Sequence, residues 1–373
     1  MAEGQGRILA ALHKYGVAYA PYPAQLPAAH SGGRAAARAY PMQGILKYHG
    51  LADWAQRIAY LPSISINNAA AHTITAVTFD PELASDQARI NGVAATGREL
   101  ERVAQVLDAV RTLAGVHSRA TVVSRNVVRA RIVGKGLGTS ASGAAALATA
   151  AVAALFGPDL AGNHRFLSSL ARLLAGSGCR SAAGGLALWL SYPGVAHKES
   201  FALRLDQAGQ LEDAALITIP IDSRVGLKTE AAHHDAPNST FFKSWMLSRA
   251  DEIIECIAAA QRGDWRTIGQ FAELDSMRLH GVTMSGSREQ KLIGWEPENI
   301  TIFRMCNDLR AAGVPVYAST DTGPTVVLIS GRSYVPQILA AIEELNLGLE
   351  AVVSGIGGPA ELVDFDAAIG EIA

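Results

Sequence analysis

A long stretch without a single charge, from Gly136 to Pro158, constrains the fold of this 373-residue chain more than any other feature. Its centre, from Ala141 to Gly157, is mostly alanine, with glycine and serine near its start. Alanine is the best helix former but only weakly apolar, and a membrane-spanning helix needs about 20 strongly apolar residues. We therefore expect a helix that is buried on all sides within a folded domain, with a membrane span as the less favoured alternative.

The charge balance of the chain argues against a dedicated nucleic-acid-binding protein. Lys and Arg number 32 and Asp and Glu number 34, which gives a formal net charge of −2 and no general basic field. Hydrophobic residues make up 49% of the chain and charged residues 18%, below the usual share of about 25%. This composition excludes global disorder. The apolar excess indicates a large core or a buried subunit interface, and we predict a homodimer.

Cysteine content and the amino-terminal sequence both predict a cytoplasmic protein. The three cysteines, Cys179, Cys256 and Cys306, are far apart and show no metal-binding spacing. Such a sparse, odd number fits a reducing compartment. The apolar run from Ile8 to His13 is too short for the core of a secretion signal.

Hydrophobic periodicity predicts a mixture of strands and helices. Alternating apolar residues, such as Ile64 and Ile66, indicate strands, and residues 315–330 indicate a strand–turn–strand unit. Ser239–Arg262 and Trp265–His280 each have the spacing of an amphipathic helix. Because strands and helices do not alternate in strict βαβ order, the predicted class is α+β.

Composition also suggests how the chain is divided. Residues 1–40 are rich in Ala, Gly and Pro, which predicts a short helix followed by an irregular arm. The pattern of strands and helices breaks near Ser191–Ser200. We therefore predict an amino-terminal arm over residues 1–40, a nucleotide-binding domain over 41–200 and a carboxy-terminal domain over 201–373.

A glycine-rich turn, GKGLGTSASG, precedes the alanine-rich helix and runs from Gly134 to Gly143. Glycine lets the backbone approach an anion closely, and the free N–H groups at the start of a helix attract phosphate. A hydroxyl at this point is also suited to ligate Mg²⁺. The Walker pattern is absent, and a capped helix after a flexible turn explains the same residues. Taken alone, the motif leaves both interpretations open.

Three further motifs carry charged side chains that are candidates for a functional site. Asp321 lies in STDTGPTVV, where a turn between two strands would hold its carboxylate rigidly. Arg180 lies in the glycine-rich turn GSGCRSAAGG, and arginine grips carboxylate or phosphate as a bidentate fork. Lys47 lies in KYHG and would neutralise either group. Each motif also has an ordinary explanation: a turn aspartate, a solvated arginine, or a structural histidine at His49.

A fifth motif, DSRVGLKTEAAHH, follows a predicted buried strand. It places Ser223, Arg224 and Lys228 close together in the sequence. His233 and His234 suggest a metal site at first sight, but adjacent residues of a helix face different ways. We therefore do not predict a zinc site there.

In their order along the chain, these motifs resemble those of the mevalonate-pathway decarboxylases of the GHMP kinase superfamily. The resemblance extends from Pro41 to Ala360 and includes PMQGILKYHG, LPSISI, GLGTSASG, GSGCRSAAGG, DSRVGLKT and STDTGPT. It implies a two-domain α+β GHMP kinase fold, with an amino-terminal half of the ribosomal-protein-like type and a ferredoxin-like carboxy-terminal half. It also implies an ATP- and Mg²⁺-dependent carboxy-lyase of isoprenoid biosynthesis whose partner is a small phosphorylated mevalonate. Phosphorylation of the substrate's tertiary 3-hydroxyl would drive loss of carbon dioxide.

The resemblance further implies roles for individual residues. Asp321 would face the 3-hydroxyl, Arg180 would grip the carboxylate and Lys47 would line the site, and these three are the predicted catalytic residues. Other residues would bind the substrate or the nucleotide. The predicted substrate-binding residues are Tyr48, Ser177, Ser223, Arg224 and Thr322; the predicted ATP-binding residues are Gly136, Gly138, Thr139, Ser140, Ala141 and Ser142, with Ser140 also the candidate Mg²⁺ ligand.

Departures from the family pattern bear on which substrate is used. Diphosphomevalonate decarboxylases usually read KYWGK, whereas His49 here replaces the tryptophan and Leu51 replaces the second lysine of the diphosphate clamp. KYHG, the upstream MQG, the TE-x-AH run and STDTG look closer to phosphomevalonate decarboxylases, which convert mevalonate 5-phosphate to isopentenyl phosphate. The favoured substrate is therefore the monophosphate.

Several alternatives stay open on sequence alone. Ser223-Arg224 is the diphosphate-type pair, which favours diphosphomevalonate decarboxylase instead. A mevalonate 3-kinase would stop at the 3-phosphate, and a 3,5-bisphosphomevalonate decarboxylase would need no ATP. A non-catalytic binding protein on the same fold is disfavoured because the three predicted catalytic residues are all present.

Overall fold

The computed structural model describes residues 2–129, 137–222, 229–289 and 291–372. Within these ranges strands and helices are mixed along the chain, so the predicted α+β class is confirmed. The strands are β1 (Gly33–Ala39), β2 (Met42–Leu46), β3 (Leu51–Asp53), β4 (Ile58–Ala59), β5 (Ser63–Asn67), β6 (Ala71–Asp80), β7 (Gln87–Ile90), β8 (Val93–Ala94), β9 (Arg119–Val128), β10 (Leu186–Trp189), β11 (Ala202–Arg204), β12 (Ala214–Ile219), β13 (Val316–Thr320), β14 (Val326–Gly331), β15 (Val352–Ser354) and β16 (Glu361–Val363). The helices are α1 (Ala2–Lys14), α2 (Gly97–Ala114), α3 (Thr139–Phe156), α4 (Pro158–Ala161), α5 (His164–Leu174), α6 (Gly178–Ala183), α7 (Thr229–Asp235), α8 (Phe242–Leu247), α9 (Arg249–Gln261), α10 (Trp265–Gly286), α11 (Pro297–Ala311), α12 (Val335–Glu344) and α13 (Phe365–Ile372).

The strands form three main sheets and one small hairpin. The six-stranded sheet has the order β16-β1-β6-β9-β7-β8, and β7 and β9 are its parallel pair. One four-stranded sheet has the order β11-β10-β5-β2, and the other has the order β13-β14-β12-β15. The two four-stranded sheets carry the residues of greatest functional interest.

The alanine-rich helix α3 lies in the hydrophobic core that packs against the six-stranded sheet. It packs on β1 and β6 on one side and on α5 and α6 on another. Its small side chains allow close approach: a Cβ added at Gly178 of α6 would lie 2.6 Å from the Ala144 Cβ. The helix is long and apolar enough to cross a membrane, but 78% of its residues are buried inside the fold. The prediction of a helix buried on all sides is therefore confirmed.

The predicted irregular arm contains a regular strand. Seven residues near its end, Gly33–Ala39, form β1, which pairs with β6 and β16 in the six-stranded sheet. The sequence GRAAARA does not read as a strand because alanine and glycine are depleted in strands. Here Ala37 and Ala39 are fully buried in the same cluster as the alanines of α3. Packing beneath that helix outweighs the local propensity.

Two other local predictions need correction. The turn GSGCRSAAGG contains α6, so Arg180 lies on a short helix. Ser239–Arg262 forms two helices, α8 and α9, rather than one, and the chain changes direction at Ser248. Trp245 of α8 packs in a cluster with Leu61, whereas α9 packs on α1.

One core cluster includes residues from both ends of the chain and positions the site. Ile45 of β2 and Leu216 of β12 belong to this cluster. Helix α10 packs on both β2 and β13, which brings the end of β13 beside β2. KYHG follows β2 and STDTG includes the end of β13, so these two distant motifs meet. The division of the chain into domains at residue 200 stays a prediction.

Candidate active site

A buried ion pair joins the KYHG and STDTG motifs. The Lys47 Nζ lies 2.9 Å from the Asp321 Oδ1 and also donates to the Gly44 carbonyl oxygen at 2.7 Å and to the Ser319 Oγ at 3.0 Å. The Lys47 side chain is 2% exposed and the Asp321 side chain is 20% exposed. The lysine is thus enclosed, and the carboxylate is the member of the pair that a ligand can reach.

A glycine in the middle of β2 makes this arrangement fit. The Gly44 N–H donates to the Asp321 Oδ1 at 3.2 Å. A Cβ at Gly44 would lie 2.8 Å from that oxygen and 3.0 Å from the Lys47 Cγ. Sequence reasoning missed Gly44, although a glycine inside a strand is a recognised sign of close backbone approach.

The backbone of Lys47 is anchored separately from its side chain. Its N–H donates to the carboxylate of Asp275, a fully buried residue of α10. The same carboxylate accepts from Trp245 Nε1 at 2.7 Å and from Arg249 Nη2 at 2.9 Å. These bonds satisfy a buried charge and fix the end of β2 against α10.

Arg180 forms the second charged group of the site and is almost completely enclosed. Its Nε donates to Ser65 Oγ at 3.0 Å, and its Nη1 donates to Ser63 Oγ. The guanidinium carbon lies 5.1 Å from the centre of the Tyr48 ring and 5.7 Å from that of Trp189. Within the described ranges, no carboxylate lies within 4.0 Å of it. A buried cation without a counter-ion is costly, so this position suits an anionic ligand.

The two serines that hold Arg180 were not identified from the sequence. Their signal was the alternation in LPSISI, where Ile64 and Ile66 face the core. The same period of two places Ser63 and Ser65 on the opposite face of β5. That face receives the guanidinium.

The two charged groups belong to one site. Gly44, which donates to Asp321, pairs in register with Ser65, which accepts from Arg180. Both charges also act on the Tyr48 phenol. Burial raises the pKa of that phenol, Arg180 opposes the rise and Asp321 adds to it. The predicted catalytic residues Lys47, Arg180 and Asp321 therefore surround one region at the end of β2.

The described part of the glycine-rich turn fits an anion. Gly138 has a φ of 71°, and a Cβ there would lie 2.7 Å from the Met42 carbonyl oxygen, so the turn passes close to β2. Among the residues that the structure describes, no side chain caps α3, and the first turn of this helix carries no acidic residue. Thr139 is half-buried and Ser140 is exposed. The start of α3 therefore offers N–H groups and hydroxyls to a phosphate.

The other predicted site residues fall into three groups. Ser142 bonds to Thr73 Oγ1 at 2.6 Å inside the fold, and the Ala141 N–H donates to the Gly138 carbonyl. Ser177 is the N-cap residue of α6, and its carbonyl oxygen accepts from the Arg180 N–H. Thr322 directly follows Asp321. The predicted residues that lie outside the described ranges are Gly136, Ser223 and Arg224.

Three histidines lie around these groups: His49 and His280 are buried, and His233 is half-buried. His280 Nε2 lies 2.8 Å from the Asp321 carbonyl oxygen, and His233 Nδ1 accepts from the Gly50 N–H at 3.0 Å. His49 lies beside His233, with ring centres 4.7 Å apart. Burial lowers the pKa of His233 and of His280 to about 4, and it lowers the pKa of His49 well below the ordinary value. All three are neutral near pH 7.

These histidines predict that the protein loses stability in mild acid. In the unfolded chain a histidine has a pKa of about 6.5, so below that pH the unfolded state binds more protons than the folded state. The histidines' contribution is complete above about pH 6.5 and is lost as the pH falls towards about 4. We expect the free energy of unfolding in urea to decrease from about pH 7.5 to about pH 5. His280→Gln should give a smaller decrease, and no change in stability over this range would contradict the prediction.

Comparisons with known proteins agree on one family. Residues 39–202 match a family model described as "Diphosphomevalonate decarboxylase-like N-terminal domain". The chain is 35% identical to phosphomevalonate decarboxylase of Haloferax volcanii over 332 aligned residues. The alignment covers 89% of this chain and 98% of that protein. Its fold matches mevalonate diphosphate decarboxylase from Staphylococcus aureus with a TM-score of 0.79 at 28% identity, over 90% of this chain and all of that one. The fold also matches mevalonate diphosphate decarboxylase from Enterococcus faecalis, with a TM-score of 0.78 at 27% identity, over 89% of this chain and 99% of that one.

The fold and the paired site define the class as that of the GHMP kinase superfamily. Within that superfamily, the chain belongs to the family of mevalonate-pathway decarboxylases, and it is a carboxy-lyase. The family inferred from the order of motifs in the sequence is thereby confirmed.

Proposed function

We propose that this protein catalyses the ATP-dependent decarboxylation of mevalonate 5-phosphate to isopentenyl phosphate, by way of phosphorylation at the 3-hydroxyl. The observation that carries this proposal is the buried Arg180, which has no carboxylate partner among the described residues and shares a site with the Lys47–Asp321 pair. One group suits a substrate carboxylate and the other suits a substrate hydroxyl.

The Lys47–Asp321 pair supports activation of the tertiary hydroxyl. A tertiary alcohol is crowded and a poor nucleophile, so it needs a carboxylate to orient it or to take its proton. Asp321 is fixed by Gly44 and Lys47, which leaves its partly exposed carboxylate in one orientation. Phosphoryl transfer otherwise depends on positioning and charge stabilisation.

Arg180 supports decarboxylation rather than phosphorylation alone. When the 3-phosphate departs with the electrons of its C–O bond, the C1–C2 bond breaks, carbon dioxide leaves and a carbon–carbon double bond forms. The carboxylate must be held in place until that step, and a guanidinium does so with charge-assisted hydrogen bonds. A kinase that stops at the 3-phosphate has less need of such a group.

Leu51 supports the monophosphate as substrate. It stands where diphosphate-type sequences have a second lysine, and it is buried in an apolar cluster with Ala59 and Cys179. A site that lacks this cation suits a ligand with less negative charge. The phosphomevalonate decarboxylase of Haloferax volcanii, at 35% identity, supports the same choice.

The start of α3 supports ATP as the phosphoryl donor and Mg²⁺ as its counter-ion. The Enterococcus faecalis relative binds ATP by a mechanism that mevalonate diphosphate mediates. When bound, ATP supplies the phosphoryl group and Mg²⁺ neutralises charge on it. In this chain Thr139 and Ser140 would hold the phosphates, with Gly138 keeping the turn close to β2. Ser140 carries the exposed hydroxyl that suits the metal.

A substrate panel tests the proposed function directly. Purified protein is incubated with ATP, Mg²⁺ and either mevalonate, mevalonate 5-phosphate or mevalonate 5-diphosphate, and carbon dioxide and ADP are measured together. We expect equal amounts of both products from mevalonate 5-phosphate. No carbon dioxide from that substrate would refute the proposal. Release of ADP alone would indicate a 3-kinase, and activity on the 3,5-bisphosphate without nucleotide would indicate the ATP-independent variant.

We further propose that the enzyme is a cytoplasmic homodimer. Large apolar side chains are exposed on and beside α8, where Leu247 is 84% exposed and Phe241 is 59% exposed. Exposed apolar side chains of this size are available to a partner subunit. They are consistent with the apolar excess in the composition.

Replacement of Gly44 by alanine should lower kcat by about 100-fold. The methyl group would displace either the Asp321 carboxylate or the Lys47 side chain, and a shift of about 1 Å at a reacting group has an effect of this size. Gly370→Ala is the matched control, because a Cβ there meets no atom within 4 Å. Steady-state kinetics together with thermal unfolding check the result. Equal kcat values in the two variants would contradict it.

A further inference from the structure

The aromatic ring of Tyr48 is held by three neighbours. The His233 ring stacks on it, with centres 5.1 Å apart and planes 12° apart. Trp189 meets it edge-on at 5.0 Å, and the Arg180 guanidinium carbon lies 5.1 Å from its centre. Three of these four residues come from the amino-terminal half of the chain. His233 comes from α7, beyond residue 200.

His233 is itself fixed by a hydrogen bond to the backbone of the KYHG motif. Its Nδ1 accepts from the Gly50 N–H at 3.0 Å, two residues after Tyr48. An accepting Nδ1 places the ring proton on Nε2 and makes the imidazole neutral. A neutral ring can stack on Tyr48 near Arg180 without charge repulsion. The same hydrogen bond fixes the position of the ring relative to the turn that carries Tyr48.

We propose that His233 is a positioning residue that seats Tyr48 beside Arg180 and thereby shapes the anion-binding end of the substrate site. This inference rests on the proposed function, in which Tyr48 and Arg180 contact the substrate. His233 acts through Tyr48 rather than on the reacting atoms. Its removal would leave the tyrosine ring free to tilt and the buried Gly50 N–H without an acceptor.

The same geometry connects the KYHG motif, which contains His49, with the TE-x-AH motif, whose last residue is His233. His49 is fully buried, its Nε2 lies 3.1 Å from Thr283 Oγ1, and its ring packs beside His233. A larger tryptophan at position 49, as in KYWGK sequences, would overlap this packing. The two histidines therefore form one packing unit beneath Tyr48, although they lie in different halves of the sequence.

The test compares three variants of the full-length protein. His233→Ala removes both the stacked ring and the acceptor, whereas His233→Asn keeps an acceptor near the place of Nδ1. His234→Ala is the matched control, because this neighbouring side chain is 76% exposed. We expect His233→Ala to raise KM for the phosphorylated mevalonate about tenfold with kcat changed less than about threefold, His233→Asn to recover part of the loss, and His234→Ala to match the wild type.

Several outcomes would overturn the inference. They are an unchanged KM in His233→Ala, an equal rise in His234→Ala, or a His233→Asn variant no better than His233→Ala. Should His233→Ala fail to fold by circular dichroism, the KM of His233→Asn, expected to lie about threefold above wild type, decides alone. KM is measured with whichever phosphorylated mevalonate the wild-type protein turns over. If the wild-type protein turns over a phosphorylated mevalonate other than mevalonate 5-phosphate, that result refutes the proposed function but leaves the comparison between variants valid.

Discussion

Replacing Asp321 with asparagine is expected to lower kcat for carbon dioxide release by about 1,000-fold, because a neutral amide neither takes the proton of the 3-hydroxyl nor orients that hydroxyl with a negative charge. The substitution preserves size and one accepting oxygen, so the Gly44 N–H and the Lys47 Nζ keep a partner. Lys47 also keeps its bonds to the Gly44 carbonyl and to Ser319. The loss should therefore appear in kcat rather than in folding. Steady-state assays of carbon dioxide and ADP release measure it.

A matched surface variant controls for the general effect of an Asp-to-Asn change. Asp366 is 77% exposed and belongs to a surface ion pair with Arg34. Such pairs contribute little to stability, so Asp366→Asn should behave as wild type. Undiminished turnover in Asp321→Asn would overturn the catalytic assignment of this carboxylate. A matching loss in both variants would show that the effect is not specific to the site.

Replacing Arg180 with glutamine is expected to lower kcat/KM for carbon dioxide release by about 100- to 5,000-fold. Removing one partner of a buried charge pair costs about 3–5 kcal/mol, and here the other partner would be the substrate carboxylate. The glutamine amide can still donate to Ser63 or Ser65, so part of the local hydrogen bonding survives. Kinetics with carbon dioxide and ADP measured together give the effect on each product.

A lysine at the same position separates charge from geometry. Arg180→Lys keeps the positive charge but lacks the planar fork that bonds both serines and a carboxylate. We expect its kcat/KM to lie between those of Arg180→Gln and the wild type. In the proposed function Arg180 holds the group that becomes carbon dioxide, so both variants should lose carbon dioxide release at least as strongly as ADP release. A variant that loses ADP release alone would show that Arg180 serves the nucleotide instead.

Much of the fold follows from local sequence patterns. The absence of charge and the alanine content of α3 predict a buried helix, and the strand–turn–strand unit around Asp321 is formed by β13 and β14. Strand β1 could not be predicted in this way, because its alanines favour a strand only when they lie beneath α3. The split at Ser248 was not predicted either, because the local pattern does not reveal that Trp245 of α8 packs in the cluster with Leu61 while α9 packs on α1.

For the site, too, one part was predicted from the sequence and another part was not. The order of the motifs identified Lys47, Arg180 and Asp321 as residues of one site, and the fold places them around the end of β2. The contacts that hold these groups and Tyr48 were not predicted; they are made by Gly44, Ser63, Ser65 and His233. Ser63 and Ser65 bind Arg180 from one face of β5, and Gly44 leaves room for Asp321 because it has no Cβ. His233 contacts the distant turn that carries Tyr48 and Gly50.

The sequence by itself determined which chemical groups this protein brings to its substrate, because the types of side chain and their order along the chain are local properties. Only the tertiary structure decided how those groups are held. Lys47 lies against Asp321 because α10 brings β2 and β13 together, and Tyr48 is stacked by a histidine from the other half of the chain. Contacts between residues so far apart in sequence depend on the packing of whole elements, which no short motif encodes.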